Sequence, residues 1–431
     1  MSQESSAPLD CVWSRVQRYM GMKRHLHTII IGGGQAGLSA SYYLKKAGIE
    51  HVVFDRGNIG DTWRKRWDSF CLVTPNWCCK LPAFDYDGDD PDGFMLRDEI
   101  VDYVERFAES FSPPYQSGVD VRLVSLEGDG PIFLVETSEG SFTAQNCIVA
   151  TGTHQYPKIP VWDSKFPDSV TRLHTADYKN PMLVKDGGVL IVGSGQSGCQ
   201  LADDLMKAGR DVHMCVGNAG RVPRRYRGRD ILEWDEVTGF FDLVVDDHPK
   251  GHNVRFQPHP HMTGRDGGRT IDLRQFASQG VHLHGRLLDV TGSTVHFEDN
   301  LAASLEHADE FCRQNMEDID EYIEKSGIMA PEPDLQTVNW HPMEPRTHLD
   351  LEEAGIATVI YATGFRRDFS WLNLPVLDES GYPRYARGVT EIPGLYFVGL
   401  HWMHTQGSGL FYGVGKDAQH VVNHLMDNAA S

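Results

Sequence analysis

Hydrophobic positions fall into two matching blocks, each a short apolar strand, a glycine turn and an amphipathic helix pattern. His27-Thr28-Ile29-Ile30-Ile31 runs into Gly-Gly-Gly-Gln-Ala-Gly at 32–37, and Val189-Leu190-Ile191-Val192 runs into Gly-Ser-Gly-Gln-Ser-Gly at 193–198. Helical patterns follow from Leu38 to Lys46 and from Cys199 to Lys207. Over Arg97 to Phe111 a 3.6-residue period puts Ile100, Val101, Val104, Phe107 and Ala108 on one face, which predicts a further helix. Alternation near 119–150 predicts strands that end in Ile148-Val149-Ala150-Thr151-Gly152. A strand end of the same kind comes late, at Val359-Ile360-Tyr361-Ala362-Thr363-Gly364. Between Asp299 and Lys325 the pattern is helical and acidic, and it closes on Pro331-Glu332-Pro333; it reads as a solvated helix and linker.

The glycines carry the chemistry. Gly32, Gly34 and Gly37, and again Gly193, Gly195 and Gly198, stand at G-x-G-x-x-G spacing. In such a turn the first glycine allows the sharp bend, the second lets a pyrophosphate reach the backbone, and the third lets helix and strand pack closely. Two such turns in one chain point to a flavoenzyme that takes electrons from a nicotinamide. Asp55 ends the strand after the first turn, 18 residues beyond Gly37, where a carboxylate can accept ribose hydroxyls; this suits FAD. The same offset from Gly198 reaches Val216, with no acid nearby. An arginine cluster follows instead, Arg221-Val222-Pro223-Arg224-Arg225-Tyr226-Arg227-Gly228-Arg229. Guanidinium groups pair bidentately with phosphate, so Arg221, Arg224 and Arg225 point to a 2′-phosphate and NADPH.

Composition narrows the rest. A chain of 431 residues holds two or three domains, and a formal charge of −20 argues against a nucleic-acid partner. No apolar run approaches the ~20 residues that span a bilayer. Residues 1–25 read as a loose extension without a signal-peptide pattern, and Met22 offers an alternative start. Cys11, Cys71, Cys78, Cys79, Cys147, Cys199, Cys215 and Cys312 show no framework spacing and read as reduced thiols of a cytoplasmic protein. Neither C-x-x-C nor C-x-x-x-x-C occurs, which argues against a dithiol relay. His252 and His259-Pro260-His261 lack a carboxylate or cysteine at tight spacing and read as a loop with solvent-facing imidazoles.

These motifs, with Gly60-Asp61-Thr62-Trp63, Ala362-Thr363-Gly364-Phe365 and Gly394-Leu395-Tyr396-Phe397-Val398-Gly399, resemble the class B flavin-containing monooxygenase superfamily. That superfamily includes amine and sulfide oxygenases, plant auxin-forming enzymes and Baeyer–Villiger enzymes. The resemblance covers nearly the whole chain from about residue 26. Within it, Asp68 to Trp77, Gly88 to Phe94, Arg224 to Asp230 and Val414 to Ala418 are similar to a bacterial branch of flavin-dependent oxidoreductases. It implies an α/β fold of two Rossmann-like dinucleotide-binding domains, with the NADPH domain inserted in the FAD domain. The expected division is 26–178 for the first FAD part, 179–345 for the NADPH domain with a helical insertion, and 346–431 for the second FAD part. Around the glycines, the resemblance adds Gln35, Ala36, Arg56, Trp63, Thr151, Gly152, Gln196, Ser197, Thr363, Gly364 and Gly399 as cofactor-binding positions.

The superfamily fingerprint F-x-G-x-x-x-H-x-x-x-F/Y is met in its second half by His174 and Tyr178; Phe166 stands two residues too far upstream, and the glycine is replaced. A terminal tyrosine in place of tryptophan argues for heteroatom oxygenation over lactone formation. For His174, gating of the nicotinamide and a structural bond at the domain junction both stay open. Asn76 is the nearest match to an asparagine that holds NADP and the oxygenated flavin in related enzymes. In the family architecture the strand end at Val398-Gly399 implies Trp402, His404 and Gln406 beside the flavin ring, with core packing the alternative for Trp402. The implied reaction takes a small nucleophilic substrate and O2, with a homodimer left open. A reductase or oxidase without oxygen insertion, and a nucleotide-binding redox regulator, remain alternatives.

Overall fold

A computed structural model of the protein describes residues 24–128, 130–334, 338–342, 344 and 346–429. The extension expected at 1–25 lies outside them except for Arg24 and His25, which already belong to a strand. The first domain begins with β1 (Arg24–Ile31), α1 (Gln35–Lys46) and β2 (His51–Phe54). The expected amphipathic helix follows as α2 (Arg97–Phe111), and all five apolar positions named for it are buried. Then come β3 (Tyr115–Gln116), β4 (Val121–Leu126), β5 (Phe133–Thr137) and β6 (Gly140–Val149). They form one sheet in the order β3-β2-β1-β6-β5-β4. Parallel pairing sets Ile31 beside Phe54 on one side and beside Val149 on the other.

Beyond β7 (Tyr156–Pro157) lies the second domain, built from β8 (Thr171–His174), β9 (Gly188–Val192), α3 (Gln196–Lys207), β10 (Val212–Cys215) and β11 (His282–His284). An antiparallel trio, β12 (Leu287–Thr291), β13 (Thr294–Phe297) and β14 (His348–Asp350), flanks it together with α4 (Leu301–Ser326). The return strand β15 (Ile356–Tyr361) completes a parallel sheet in the order β8-β15-β9-β10-β11. Next, β16 (Phe365–Arg366) pairs with β7, so the outgoing and returning chains cross as one antiparallel link. Finally β17 (Leu395–Phe397) adds to β6, and α5 (Val414–Ala429) packs on α1.

Sheet membership moves the expected boundaries. β8 and β15 belong to the second sheet, so that domain runs from about 171 to 361, wider than 179–345. Both sheets are covered on two faces, which is why their central strands read as unbroken apolar runs. Ile30, Val53 and Ile148 face the side of α1, α2 and α5, while Ile29, Ile31 and Val149 face the other core. Val189 and Ile191 likewise alternate with Leu190 and Val192. The acidic segment is a helix as expected, α4, mostly exposed but with one face that buries Ser304, Leu305, Ala308, Cys312 and Ile319. No helix among the described residues is long and apolar enough to cross a membrane.

Candidate functional site

Both glycine turns follow one steric logic. Gly32 and Gly193 open them with φ of +104° and +109°, a conformation that favours glycine. A Cβ at either would stand 2.5 Å from the Ala150 carbonyl oxygen or 2.6 Å from that of Ala362. The two Ala-Thr-Gly strand ends are therefore equivalent parts: Ala150 N–H donates to the Ile31 carbonyl (2.8 Å) and Ala362 N–H to that of Val192 (2.9 Å). Gly37 and Gly198 press against the carbonyls of Gly32 and Gly193, where a Cβ would collide. Gly34 and Gly195 differ. A Cβ at either would meet no heavy atom within 4 Å, although each caps a helix with no side-chain hydrogen bond. Open space at the positive end of a helix is what a pyrophosphate fits, so the residues present suit two dinucleotides.

Around the first cradle, the Asp55 carboxylate accepts the N–H groups of Gly33 (2.6 Å) and Gly57 (2.7 Å), which fixes this acid at the glycine turn. Gly399 presses so closely on Ala36 that a Cβ there would overlap it. Arg56 lies over the Tyr156 ring (5.9 Å), and Trp63 stacks on Phe411 (5.5 Å) as part of the first core. Gln35 does not reach toward the cradle: its Nε2 donates to the Gly409 carbonyl (2.7 Å). Gln196 behaves alike, donating to the Met262 carbonyl and accepting the Met262 N–H (3.0 Å). Thus each cradle holds a distant loop by its glutamine. Ser197 occupies the first turn of α3. The Thr151 hydroxyl accepts from Gln155 (2.9 Å), and that of Thr363 donates to the Lys158 carbonyl (2.5 Å), so both threonines brace the interdomain link.

The three residues expected to be catalytic have structural duties. Asn76 is buried, donates to the Asp90 carbonyl (2.9 Å) and accepts the Met95 N–H (2.8 Å), closing its own loop at both ends of the amide. His174 is also buried: Nδ1 accepts the Ala176 N–H (3.1 Å), so Nε2 carries the proton and donates to the Gly364 carbonyl (2.9 Å). Burial holds its pKa below the usual value, and the neutral ring pins the hinge glycine. The Tyr178 hydroxyl donates to Asp204 (2.6 Å), which also accepts from Ser69 (2.7 Å) and Arg265 (2.9 Å). That buried knot ties the first domain to α3.

The arginine cluster is likewise committed. Arg224 is 2% exposed, doubly bonded to Asp230 (2.7 and 3.1 Å) and covered by Phe94, which removes it as a phosphate ligand. Arg221 donates to Asp309 (2.7 Å), and Arg225 to the carbonyls of Gly268 and Gly267. The acidic face of α4 supplies Asp309 to Arg221 and Asp320 to Arg227. Sequence spacing gave no sign of that pairing.

Three histidines from separate loops meet near the glycine-ended strands. His154 follows Gly152, and His401 follows Gly399; His259 comes from the loop held by Gln196. His259 Nε2 and His401 Nδ1 are 3.1 Å apart, while Phe365 touches His154 (5.0 Å) and His174 (4.9 Å) edge-on. Desolvation by the surrounding protein lowers the pKa of His154 to about 3, that of His401 well below its ordinary value and that of His259 as well, while the His154 and His259 rings keep exposed surface. Arg66 and Arg367 add positive charge beside His154, and the Arg66 Nε is buried with no hydrogen-bond partner. Of the imidazoles expected to face solvent, His252 and His259 are exposed, whereas His261 is 1% exposed and bonded to the Ser194 carbonyl of the second cradle. Trp402 packs into the core against His248 and Phe240 in a left-handed turn (φ 49°) held by Arg255. His404 and Gln406 are half-buried on the same loop, where Gln406 Oε1 is buried and unpaired. His154 and Arg66 could have been found by adjacency to Ala-Thr-Gly and Gly-Asp-Thr-Trp, whereas His259, conspicuous beside Pro260 and His261, carried no sign that it meets His401.

Seven described cysteines are free and buried. Desolvation raises the thiols, to about 11 at Cys71 and about 12 at Cys79, the reverse of what a redox relay requires.

A family model described as pyridine nucleotide-disulphide oxidoreductase matches residues 29–229. The CzcO-like oxidoreductase of Geobacillus kaustophilus is 32% identical across 94% of this chain and 100% of its own. An indole-3-pyruvate monooxygenase of rice, YUCCA4, is 29% identical over 92% of this chain and 87% of its own. Among solved structures, a flavin-containing monooxygenase from Stenotrophomonas maltophilia shares the fold, with TM-score 0.63, 18% identity, and coverage of 94% and 99%. With two open cradles and a relative matched along its full length, the chain belongs to the flavin-containing monooxygenase superfamily, in a bacterial branch of oxidoreductases, and its cofactors are FAD and NADPH.

Proposed function

We propose that this protein is an NADPH- and O2-dependent monooxygenase that transfers one oxygen atom to a nucleophilic nitrogen or sulfur of a small molecule. FAD is assigned to the Gly32–Gly37 cradle and NADPH to the Gly193–Gly198 cradle. Bound FAD supplies hydride acceptance and the activation of dioxygen; the protein supplies orientation and a controlled dielectric. The observation that carries the reading is the meeting of His154, His259 and His401 on loops tied to the two glycine turns, whose Gly34 and Gly195 face open space at helix N-termini. Neutral rings can donate or accept one hydrogen bond each without adding net charge, which suits a site where water must be kept from reactive oxygen. The unpaired Arg66 Nε offers a donor to an anionic group of cofactor or substrate. Buried, high-pKa thiols weigh against a dithiol relay and suit a reducing compartment such as the cytoplasm.

The test is NADPH-dependent uptake of labelled dioxygen in the presence of small amines, thioethers and carbonyl compounds, with mass detection of products. A nitrogen or sulfur compound should gain one labelled oxygen per NADPH oxidised. Complete conversion of the electrons to hydrogen peroxide with every compound would overturn the reading in favour of an oxidase.

A further inference from the structure

The second domain carries a cluster that the nucleotide chemistry does not use. Asp211 and His213 are two residues apart at the start of β10, so their side chains share one face; His282 and His284 repeat that relation on β11. Parallel register sets His213 directly beside His282. Asp211, His213 and His282 lie toward the strand ends opposite to the one that leads into the second cradle, with His284 behind them at the cradle end.

The Asp211 carboxylate presents one oxygen to His282 Nε2 at 3.3 Å and the other to His213 Nε2 at 3.7 Å. The longer gap exceeds a hydrogen bond. It approaches the donor–donor spacing of about 3.4 Å that ~2.0–2.1 Å bonds make across a tetrahedral ion. One donor atom from each of the three residues lies within 4.8 Å of the others. Behind them, His213 Nδ1 meets His284 Nε2 at 3.0 Å, the outer hydrogen bond that orients a ligating imidazole. His213 is 6% exposed, whereas Asp211 and His282 are 51% and 45% exposed, which leaves an entry side open to water. Arg346 is the opposing charge near His213, and Asp211 the compensating one.

We propose that Asp211, His213 and His282 bind one divalent transition cation of the Zn²⁺ class, with His284 as a positioning residue and water in the fourth place. Two imidazoles and a carboxylate are a donor set for such ions, and the bound ion would staple the edge strand β11 to β10.

The test uses tag-free, full-length, FAD-loaded protein that has been stripped with a chelator. Zn²⁺ titrated by calorimetry should bind at one equivalent and raise the melting temperature. Co²⁺ should give a visible absorption band at the same stoichiometry. Asp211→Asn and His282→Ala, both on half-exposed side chains, should each weaken Zn²⁺ at least about a hundredfold while flavin content stays unchanged. His284→Phe should weaken it about ten- to a hundredfold. Zn²⁺ binding to the wild type no tighter than to the Asp211→Asn, His282→Ala double variant would overturn the site and leave an ordinary imidazole–carboxylate cluster.

Discussion

His259 and His401 meet at 3.1 Å although 142 residues separate them. Each stands on a loop fastened to a different cradle: His259 near Met262, which Gln196 holds, and His401 ahead of Gly409, which Gln35 holds. Their contact therefore reports how the two nucleotide sites are set relative to each other. His259→Ala and His401→Ala should each lower kcat/KM for NADPH-dependent turnover. The double variant should fall less than the product of the single effects, with a coupling of about 0.5–3 kcal/mol. Independent, multiplicative losses in a double-mutant cycle would remove the pair from the working geometry.

Substitutions in the cradles should separate ligand contact from folding. A methyl at Gly34 or Gly195 meets no protein atom, so these variants should fold; the methyl instead occupies the face offered to pyrophosphate. Gly34→Ala should lose its yellow colour, whereas Gly195→Ala should keep flavin and show at least about a tenfold rise in the Michaelis constant for NADPH. Gly37→Ala collides with the Gly32 carbonyl and should lower the melting temperature of the flavin-free protein as well. Equal loss of flavin from Gly34→Ala and Gly195→Ala would reverse or merge the two assignments.

The same contrast explains what could be read from sequence. Backbone-driven features were legible: the turns at 32–37 and 193–198, the Ala-Thr-Gly strand ends and the α2 face all follow from local spacing. Boundaries failed where strands crossed domains, since β8 and β15 join the second sheet from either side of the expected limits. Side-chain roles failed wherever a partner came from afar. Arg224 reads as a free cation until Asp230 and Phe94 enclose it, and Asn76 reads as a free amide until Asp90 and Met95 take both its ends. The histidine cluster was half visible, because His154 and His401 adjoin motif glycines and His259 stands in His259-Pro260-His261, but their meeting depends on loops far apart in sequence.

Of the three arginines expected at the 2′-phosphate, Arg221 is the one to test for cofactor preference. Arg221 adjoins the second cradle: it bridges to His261, which bonds the Ser194 carbonyl. Its guanidinium is held by Asp309 and stays partly exposed. Arg221→Ala should raise the Michaelis constant for NADPH about ten- to a hundredfold and leave NADH nearly unchanged, as expected for one charge-assisted contact of roughly 1.5–3 kcal/mol. Arg224→Ala should instead cost about 3–5 kcal/mol of stability, because Asp230 would remain buried without its partner. Altered NADPH selectivity in Arg224→Ala without a fall in melting temperature would contradict its placement.

Acid sensitivity follows from the buried imidazole beside the second cradle. His261 is 1% exposed, and burial pushes its pKa down to about 4, against about 6.5 in an unfolded chain. Between those values the unfolded state binds the extra proton, so stability rises with pH there. The contribution is complete above about pH 6.5 and is lost as pH falls toward 4, on the order of 3 kcal/mol in all. Asp235, pushed up to about 7 by burial, titrates in the opposite sense, since acidification relieves its cost. The clean reading is therefore a difference between proteins. Melting temperatures of wild type and His261→Gln, recorded from pH 7.5 to 4.5, should converge as pH falls, because the variant has lost one acid-labile term while its amide can still bond the Ser194 carbonyl. Parallel curves across that window would show that His261 does not titrate with folding.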